Sequence, residues 1–315
     1  MSHRRQSKRR PRSSGAALPT RTALLFVAPA TALFAVLVLY PLATALSYSF
    51  FSWRGIVRDS WAGFDNYVAL FTQLPYRNDL PRAFWHNLML FAGAMVFQNT
   101  VGLGLAQLLH RLPRFKRLFQ TIYTMPYLVS PLVIGYLWSL LLSPLFGSVN
   151  AMFKAVGLDS WALPWLGDPK TAIWAIVFIN SWQWIGFPVL LYGAAMGGIT
   201  DDLEEAAALD GASAWQRFTR ITFPLLTPAI GTVTVLTFIG AMEAFAIPYA
   251  IGGSQGNPAK ATDVLSLLFY RTAFQSGSTN SNGISSAVAM LLFLFIFGVA
   301  VVMTRLMRRW ERRLT

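Results

Sequence analysis

The sequence predicts an all-α, polytopic membrane protein with six transmembrane helices. Of its 315 residues, 55% are hydrophobic and 12% are charged, whereas soluble domains carry about 25% charged residues. The charges are clustered, and each run between them reaches the roughly 20 apolar residues that cross a bilayer. The six charge-free runs are 22–53, 83–110, 118–153, 171–200, 221–242 and 272–304.

The positions of the basic residues predict the orientation of these spans. Of the 26 Lys and Arg residues, 18 lie before span one, after span six, or in the connections that follow spans two and four. Because Lys and Arg are enriched on the cytoplasmic side of membrane proteins, both termini are predicted to be cytoplasmic. The net charge of +13 then reflects topology, with the lipid bilayer as partner, and does not indicate nucleic-acid binding.

Span one is expected within Thr22–Tyr48. It follows a basic segment, 1–21, whose Arg, Ser and Pro content is typical of disorder. The apolar run is much longer than the roughly 7 to 15 residues of a signal-peptide core. We therefore expect a retained span, with kinks at Pro29 and Pro41.

Polar connections separate the remaining spans. The segment after span three contains Trp161–Trp165, whose aromatic rings suit the membrane interface. The absence of cysteine excludes disulfides, thiolate metal sites and cysteine catalysis. Spans two to six are expected at Ala83–His110, Phe119–Leu142, Thr171–Met196, Leu225–Ile251 and Ile284–Met307.

The connection between spans four and five predicts a helical hairpin outside the membrane. Five of the 13 acidic residues lie there, and Asp202 and Glu205 have the spacing of an N-terminal capping pair. The Ala-rich helix from Leu203 to Leu209 is expected to end at Gly211, because glycine readily adopts the left-handed conformation that ends helices.

A second short helix is expected to start at Ala214, because Ser213 and Gln216 have the spacing of a capping box. Pro224 then leads into span five. A well-capped hairpin outside the membrane adds nothing to stability within the bilayer. Docking on a partner is one interpretation, and a solvated connecting loop is the other.

The hairpin also carries a motif with fixed spacings. The order is Glu205-Ala206-Ala207, three residues, Gly211, nine residues, and Ile221-Thr222-Phe223-Pro224. It resembles the EAA loop of ABC importer permeases, E-A-A-x3-G-x9-I-x-L-P, with Phe223 in place of Leu. Three further segments resemble the sugar-type permeases related to the maltose and glycerol-phosphate importers: Asp210-Gly211-Ala212, Asn66-Tyr67 and the stretch from Gly252 to Phe274.

The resemblance implies a transport subunit in a bacterial plasma (inner) membrane. Its permease domain would cover 22–307, with the EAA loop at 199–224 and a basic cytoplasmic tail at 308–315. Its partners would be a second homologous permease, two ATPase subunits that bind MgATP, and an extracytoplasmic sugar-binding protein. The chain has no G-x4-G-K-[ST] phosphate loop, so we expect no cofactor and no ATPase activity in this subunit.

The resemblance also implies that the EAA loop docks in a cleft of the ATPase. Glu205 is expected to make the polar contact, whereas Asp210 either joins it or only stabilises the turn. The two alanines would permit close approach, and Gly211 would set the angle between the helices. The coupling residues are expected to be Glu204, Glu205, Ala206, Ala207, Asp210, Gly211, Ile221 and Pro224.

Polar residues at membrane depth are candidates for the substrate pathway, because their burial in lipid is costly. Glu243 is the only formal charge between Ile221 and Ala259, so it is expected either to face a cavity that binds sugar hydroxyls or to pair with a neighbouring subunit. Polar residues of spans two and three also commonly hydrogen-bond between helices. The other candidates are Asn180, Trp182, Gln183, Tyr127, Ser130, Gln98 and Asn99.

The two tryptophans of span four cannot both face one cavity. Trp182 and Trp184 are two residues apart, and side chains at that spacing diverge on a helix. One of them is therefore expected to pack between helices.

A proton-coupled secondary carrier that uses Glu243 is the alternative function. Such carriers need several ionisable groups within the membrane, and this sequence supplies few. A membrane enzyme is disfavoured because the three histidines are scattered and form no H-E-x-x-H motif. A channel would not explain the capped hairpin.

Overall fold

The structure, a computed structural model, describes residues 20–112 and 116–314 and is mostly helical. Four helices are long and apolar enough to cross a membrane: Leu24–Ser49, Tyr76–His110, Thr227–Gly252 and Ser281–Arg309. Two further helix pairs meet the same criterion but are bent, by 94° and 43°. The predicted helical membrane fold is confirmed, with four to six candidate spans. The predicted basic segment 1–21 lies almost entirely outside the described residues.

The first candidate span is a helix with one widened turn. It comprises α1 (Thr20–Phe34), a π-helical turn at Ala35–Leu39, and α2 (Tyr40–Ser49). The helix continues through Pro29, whereas the π turn lies immediately before Pro41. Proline has no N–H to donate and crowds the preceding turn, and a π turn is one way to accommodate this.

A small β-hairpin follows and departs from the all-α prediction. Strands β1 (Phe51–Arg54) and β2 (Val57–Trp61) pair antiparallel. Helix α3 (Asp65–Thr72) lies behind them, and its buried Asn66 donates hydrogen bonds to the carbonyls of Ser49 and Phe51 at 2.8 and 2.9 Å. Asn66 thereby fixes the hairpin to α3.

The second span begins earlier than predicted. It comprises α4 (Tyr76–Gly93), a π turn at Ala94–Asn99, and α5 (Thr100–Arg111). The expected start at Ala83 was placed after the last charge, but Asp79 is buried inside the helix and pairs with Lys260 and Arg271. Because Lys260 and Arg271 neutralise the charge of Asp79, the segment that contains this aspartate can belong to the span.

The predicted spans three and four are each broken into two helices. Span three comprises α6 (Lys116–Leu128) and α7 (Pro131–Leu141), joined at the 94° bend, and span four comprises α9 (Pro169–Trp184) and α10 (Gly186–Met196), joined at the 43° bend. Between them lie α8 (Ser148–Ala155) and a 3-10 turn at Asp159–Trp161. A Cβ at Gly186 would lie 2.5 Å from the carbonyl oxygen of Tyr123, so glycine is required where α10 approaches α6.

The rest of the chain contains the hairpin and two long helices. The hairpin comprises α11 (Asp201–Leu209), α12 (Ala214–Arg217), a π turn at Phe218–Thr222 and α13 (Phe223–Leu225). Then come α14 (Thr227–Met242), α15 (Ala246–Gly252), α16 (Leu265–Phe274) and α17 (Ser281–Leu314). The central core packs α4, α9, α14 and α17 together through Leu90, Ile176, Phe238 and Ile296.

Candidate functional site

A cavity of about 540 Å³ lies between the broken spans. Tyr127 and Pro131 line it from the two sides of the α6–α7 break. The helix Thr227–Gly252 is interrupted at 243–245, between α14 and α15, and the stretch from Glu243 to Pro248 lines the cavity from this α14–α15 break. Its volume is within the range of about 300 to 1,000 Å³ typical of small-molecule sites. Irregular backbone at membrane depth occurs where it lines a cavity or is buried in protein. The position of the helix breaks at this cavity agrees with that rule.

Four of the predicted pathway residues meet in this cavity. Gln98, Tyr127, Asn180 and Glu243 all line it, and Thr237 adds a hydroxyl. They come from four different spans, as a site assembled between helices requires. No Lys, Arg or His is among the residues that line the cavity.

Among the described residues that line the cavity, Glu243 is the only one with a formal charge. It is the C-terminal cap of α14, and its side chain is exposed. Within residues 20–112 and 116–314, no base or hydroxyl forms an ion pair or hydrogen bond with its carboxylate. The acceptor capacity of this carboxylate therefore faces the cavity.

The aromatic side of the cavity contains a different tryptophan from the one predicted for the pathway. Trp184, and not the predicted Trp182, lines the cavity, where its ring lies edge-on to Tyr127 with 5.1 Å between centroids. Trp182 packs into the core against Trp138 at 5.6 Å. One of the two tryptophans packs between helices, as expected, and Phe187 and Phe245 complete the aromatic wall.

Three other predicted pathway residues do not line the cavity. Gln183 is buried and donates from Nε2 to the carbonyl of Val129, at 2.9 Å, beside the α6–α7 break. Ser130 is the N-terminal cap position of α7. Asn99 donates to Thr237 Oγ1 at 3.2 Å, which is the interhelical hydrogen bond that polar residues in spans commonly make.

Gln98 and Asn99 are adjacent residues that point in different directions, as neighbouring side chains on a helix do. Both lie in the π turn at Ala94–Asn99, where one extra residue widens the helix. Ala94 and Gln98 line the cavity, whereas Asn99 contacts Thr237 of α14. The sequence contains no signal for this widened turn.

A buried ion cluster, consisting of Asp79, Asp263, Arg271 and Lys260, lies beyond the cavity and was not predicted. Arg271 Nη2 lies 2.8 Å from Asp263 Oδ2 and 3.4 Å from Asp79 Oδ2. Burial by itself would lower the pKa of Arg271, but the hydrogen bond and charge of Asp263, together with Asp79, raise it. Because the partners are far apart in sequence, no local pattern predicts this cluster.

The hairpin has the predicted second cap but a different first one. Ser213 Oγ accepts from the Gln216 amide at 3.3 Å, and Gln216 Oε1 accepts from the Ser213 amide at 2.8 Å, which confirms the capping box and the start of α12. The predicted Asp202–Glu205 pair is wrong, since α11 starts at Asp201 with Thr200 as its cap position. A favourable spacing does not by itself select among neighbouring cap candidates.

The turn between the two hairpin helices is a Schellman motif. The amide of Ala212 donates to the carbonyl of Ala207 at 2.9 Å, and that of Gly211 donates to Ala208 at 3.1 Å. Gly211 has φ +80°, the left-handed conformation that was predicted for it. Asp210 is the cap residue of α11 and is exposed.

The two adjacent glutamates of the hairpin have different surroundings. Glu204 is half-buried, and its Oε1 accepts from Thr222 Oγ1 at 3.1 Å, so it braces the hairpin internally. Glu205 is exposed, as is Ala206, whereas Ala207, Ile221 and Pro224 are half-buried. Of the two glutamates, Glu205 therefore presents its carboxylate to solvent.

Two apolar side chains extend the exposed surface of the hairpin beyond the motif. Leu209 is 89% exposed and Trp215 is 72% exposed, one on each side of Gly211. Large exposed side chains of this kind mark contact surfaces when they occur together. The sequence alone does not distinguish them from the other large apolar residues of the hairpin, such as Leu203 and Phe218.

Comparison with known proteins gives concordant matches over most of the chain. Residues 98–313 match the family described as "Binding-protein-dependent transport system inner membrane component". The chain is 29% identical to the "Probable starch degradation products transport system permease protein AmyD" of Thermoanaerobacterium thermosulfurigenes, over 91% of this chain and 94% of that protein. It is 32% identical to the "Lactose transport system permease protein LacF" of Rhizobium radiobacter, over 86% and 91%.

A solved structure of similar fold is a chain of a bacterial ABC transporter that imports the acidic polysaccharide alginate. It is 25% identical and superposes with a TM-score of 0.77 over 92% of this chain and 96% of that chain. A chain of the same transporter bound to an alginate-loaded periplasmic protein gives a TM-score of 0.75 at 27% identity. The resemblance inferred from the EAA-type motif is thus confirmed at the level of the family. This chain belongs to the binding-protein-dependent transport system inner membrane components, the permease subunits of ABC importers.

Proposed function

We propose that this chain is the permease subunit of an ABC importer for carbohydrate, and that sugar passes through the cavity between the broken spans. The observation that carries the proposal is the meeting of Gln98, Asn180 and Glu243 with Trp184 at two broken helices. Binding sites of membrane transporters are commonly built at discontinuous helices near the middle of the bilayer. The relatives include transport proteins named for starch degradation products, lactose and alginate, and these support the carbohydrate class.

The chemistry of the cavity suits a sugar. The carboxylate of Glu243 accepts hydrogen bonds from hydroxyls, while the amides of Gln98 and Asn180 both donate and accept. The aromatic rings of Trp184 and Phe245 offer apolar faces to the C–H faces of a sugar ring. Such a wall binds a polar ligand through hydrogen bonds and aromatic contacts and needs no ion pair with it.

The charge of the cavity favours an uncharged sugar over an acidic one. Glu243 is a carboxylate, and none of the residues that line the cavity is basic. At about 5 Å and an effective dielectric constant of about 20, two like charges repel by about 3 kcal/mol. In this respect we expect the substrate to differ from the acidic alginate of the structural relatives.

The energy for transport would come from partner ATPases. Glu205, Leu209 and Trp215 form the exposed face of the hairpin, which would dock on an ATPase subunit on the cytoplasmic side. The proposal includes six spans with cytoplasmic termini, a second permease subunit, and an external binding protein that delivers the sugar. MgATP would bind to the ATPase subunits only.

Reconstituted transport tests this proposal. A thermal-shift screen of the binding protein against neutral sugars, uronates, amino acids and metal ions identifies the ligand. The full complex in proteoliposomes is then supplied with loaded binding protein. We expect stabilisation by a neutral sugar, and uptake that needs ATP and persists when an uncoupler collapses the proton gradient. Uptake driven by the proton gradient without ATP would instead establish a secondary carrier, and a screen answered only by amino acids or metal ions would refute the carbohydrate class.

A further inference from the structure

Asn87 is a fully buried polar residue in the middle of α4. Its Nδ2 donates to the carbonyl of Ala241 at 2.7 Å and to that of Met242 at 3.2 Å. Its Oδ1 accepts from the backbone amide of Leu265 at 2.9 Å. One side chain therefore connects three separate elements, α4, the end of α14 and the start of α16.

The two carbonyls belong to the last turn of α14. The last four carbonyls of a helix have no partner within the helix, and in an apolar interior they need another donor. Asn87 supplies that donor to the two carbonyls that immediately precede Glu243. The amide of Asn87 therefore stabilises the end of α14, at the interruption within span five.

The other side of Asn87 is held by the external segment that leads into α16. The neighbouring His86 contacts the carbonyl of Asp263 through Nδ1 at 2.7 Å, and the carboxylate of Asp263 pairs with Arg271. Arg271 also donates to the carbonyl of Ser254 at 2.9 Å. The segment between Ser254 and Leu265 is thus fixed to α4 at the level of Asn87.

We propose that Asn87 is a positioning residue for transport: it holds the break in span five, and with it Glu243, in a fixed relation to the segment from Ser254 to Leu265. The proposal rests on the function given above, since it assigns to Asn87 the placement of a cavity residue. Movement of the external segment would be transmitted to the cavity through the hydrogen bonds of one amide. Asn87 itself is not among the residues that line the cavity.

The absence of cysteine in this chain permits a direct test. Gly240→Cys places a thiol on the cavity wall before the break, where a Cβ meets nothing within 4 Å, and Ala246→Cys places one after it. Each is combined with Asn87→Leu, which keeps the number and branching of the side-chain heavy atoms and removes both hydrogen-bonding groups. The rate of reaction with a small water-soluble thiol reagent is measured in the assembled complex.

The two reporters should respond differently. We expect Asn87→Leu to change the labelling rate at position 246 by about tenfold or more, because an unsatisfied helix end rearranges, and to leave position 240 within about twofold. When Asn87→Leu is introduced alone, without an added cysteine, we expect the maximal rate of sugar uptake to fall by about tenfold. The apparent KM for loaded binding protein should change less than the maximal rate.

Asn150→Leu is the matched control. Asn150 is also a buried amide that holds backbone, donating to Leu163 at 2.9 Å and accepting from Trp165, but it makes no hydrogen bond to span five. Labelling at 246 should be unaffected by this change. Equal changes at 240 and 246, a wild-type uptake rate with Asn87→Leu, or the same labelling response to Asn150→Leu would overturn the proposal.

The test also separates this inference from the proposed function. If the chain does not transport carbohydrate, the wild-type complex shows no sugar uptake, but the labelling contrast between positions 240 and 246 still reports on Asn87. If the carbohydrate proposal holds and Asn87 has no positioning role, uptake is normal and the contrast is absent.

Discussion

The conformation of Gly211 permits a quantitative test of the hairpin. Its φ is +80°, and a Cβ added there would meet nothing within 4 Å. Gly211→Ala therefore introduces a conformational cost without a steric clash. A non-glycine residue in the left-handed region costs about 1 to 2 kcal/mol, which lowers the equilibrium constant for forming the Schellman turn by a factor of about 5 to 30.

The assay is the ATP hydrolysis of the reconstituted complex that loaded binding protein stimulates. If the turn must be intact for coupling, we expect this stimulated rate to fall by about 5-fold or more with Gly211→Ala. With Gly211→Asn the stimulated rate should fall less, because asparagine tolerates the left-handed region better than most other residues do. Gly211→Pro should abolish coupling while leaving membrane insertion intact, because proline fixes φ near −65°.

Gly104→Ala is the matched control, since Gly104 lies within α5 and a Cβ there also meets nothing within 4 Å. Alanine is the better residue in a helix interior by about 0.5 to 1 kcal/mol, so coupling should be unchanged. Normal stimulated hydrolysis in the alanine and proline variants of Gly211 would refute the role of the turn.

Five further substitutions test three other parts of the structure. Trp184→Ala should weaken sugar uptake with little change in thermal stability, whereas Trp182→Ala should lower the free energy of unfolding by about 3 to 5 kcal/mol, as loss of a core aromatic does. Arg271→Met should cost about 3 to 5 kcal/mol because it leaves two buried aspartates without their shared partner, while Arg54→Met at an exposed pair should cost less than about 1 kcal/mol; melting temperatures of the purified protein report both. Ser213→Ala should destabilise α12 by about 1 kcal/mol, which amide hydrogen exchange of the hairpin measures.

Local signals predicted local structure well. The Ser213–Gln216 capping box and the left-handed Gly211 depend on neighbouring residues alone, and both were predicted from spacing. The six charge-free runs correspond to the helices and bent pairs that are apolar enough to cross a membrane. Hydropathy predicts how long a span is, because the bilayer requires a fixed length.

Features set by long-range contacts were not predictable. The start of the second span was missed because Asp79 is neutralised by Lys260 and Arg271, which lie far along the chain. The carbonyl of Ala241 near the end of α14 accepts a hydrogen bond from Asn87, which is equally remote in sequence. A single sequence does not reveal which distant residues satisfy a buried charge or a free carbonyl.

The residues of the cavity were predicted in part for the same reason. Glu243 was predicted because a charged residue within an apolar run is visible in the sequence, whatever the rotation of its helix. The choice between Trp182 and Trp184 required the rotation of α9, and the choice between Gln98 and Asn99 required the rotation of the second span. Composition identifies polar residues at membrane depth, whereas the direction in which they point is set by packing.

The measurement that tests the central claim most directly is sugar uptake by the complex with Glu243→Leu. This change keeps a similar volume and removes the only charge on the cavity wall. A hydrogen bond to a charged group contributes about 1.5 to 3 kcal/mol, so its loss should reduce uptake at subsaturating sugar by about tenfold or more. Equal amounts of wild-type and variant complex in proteoliposomes are compared with ATP and loaded binding protein. Reduced uptake supports a sugar pathway through this cavity, and uptake at the wild-type rate would contradict it.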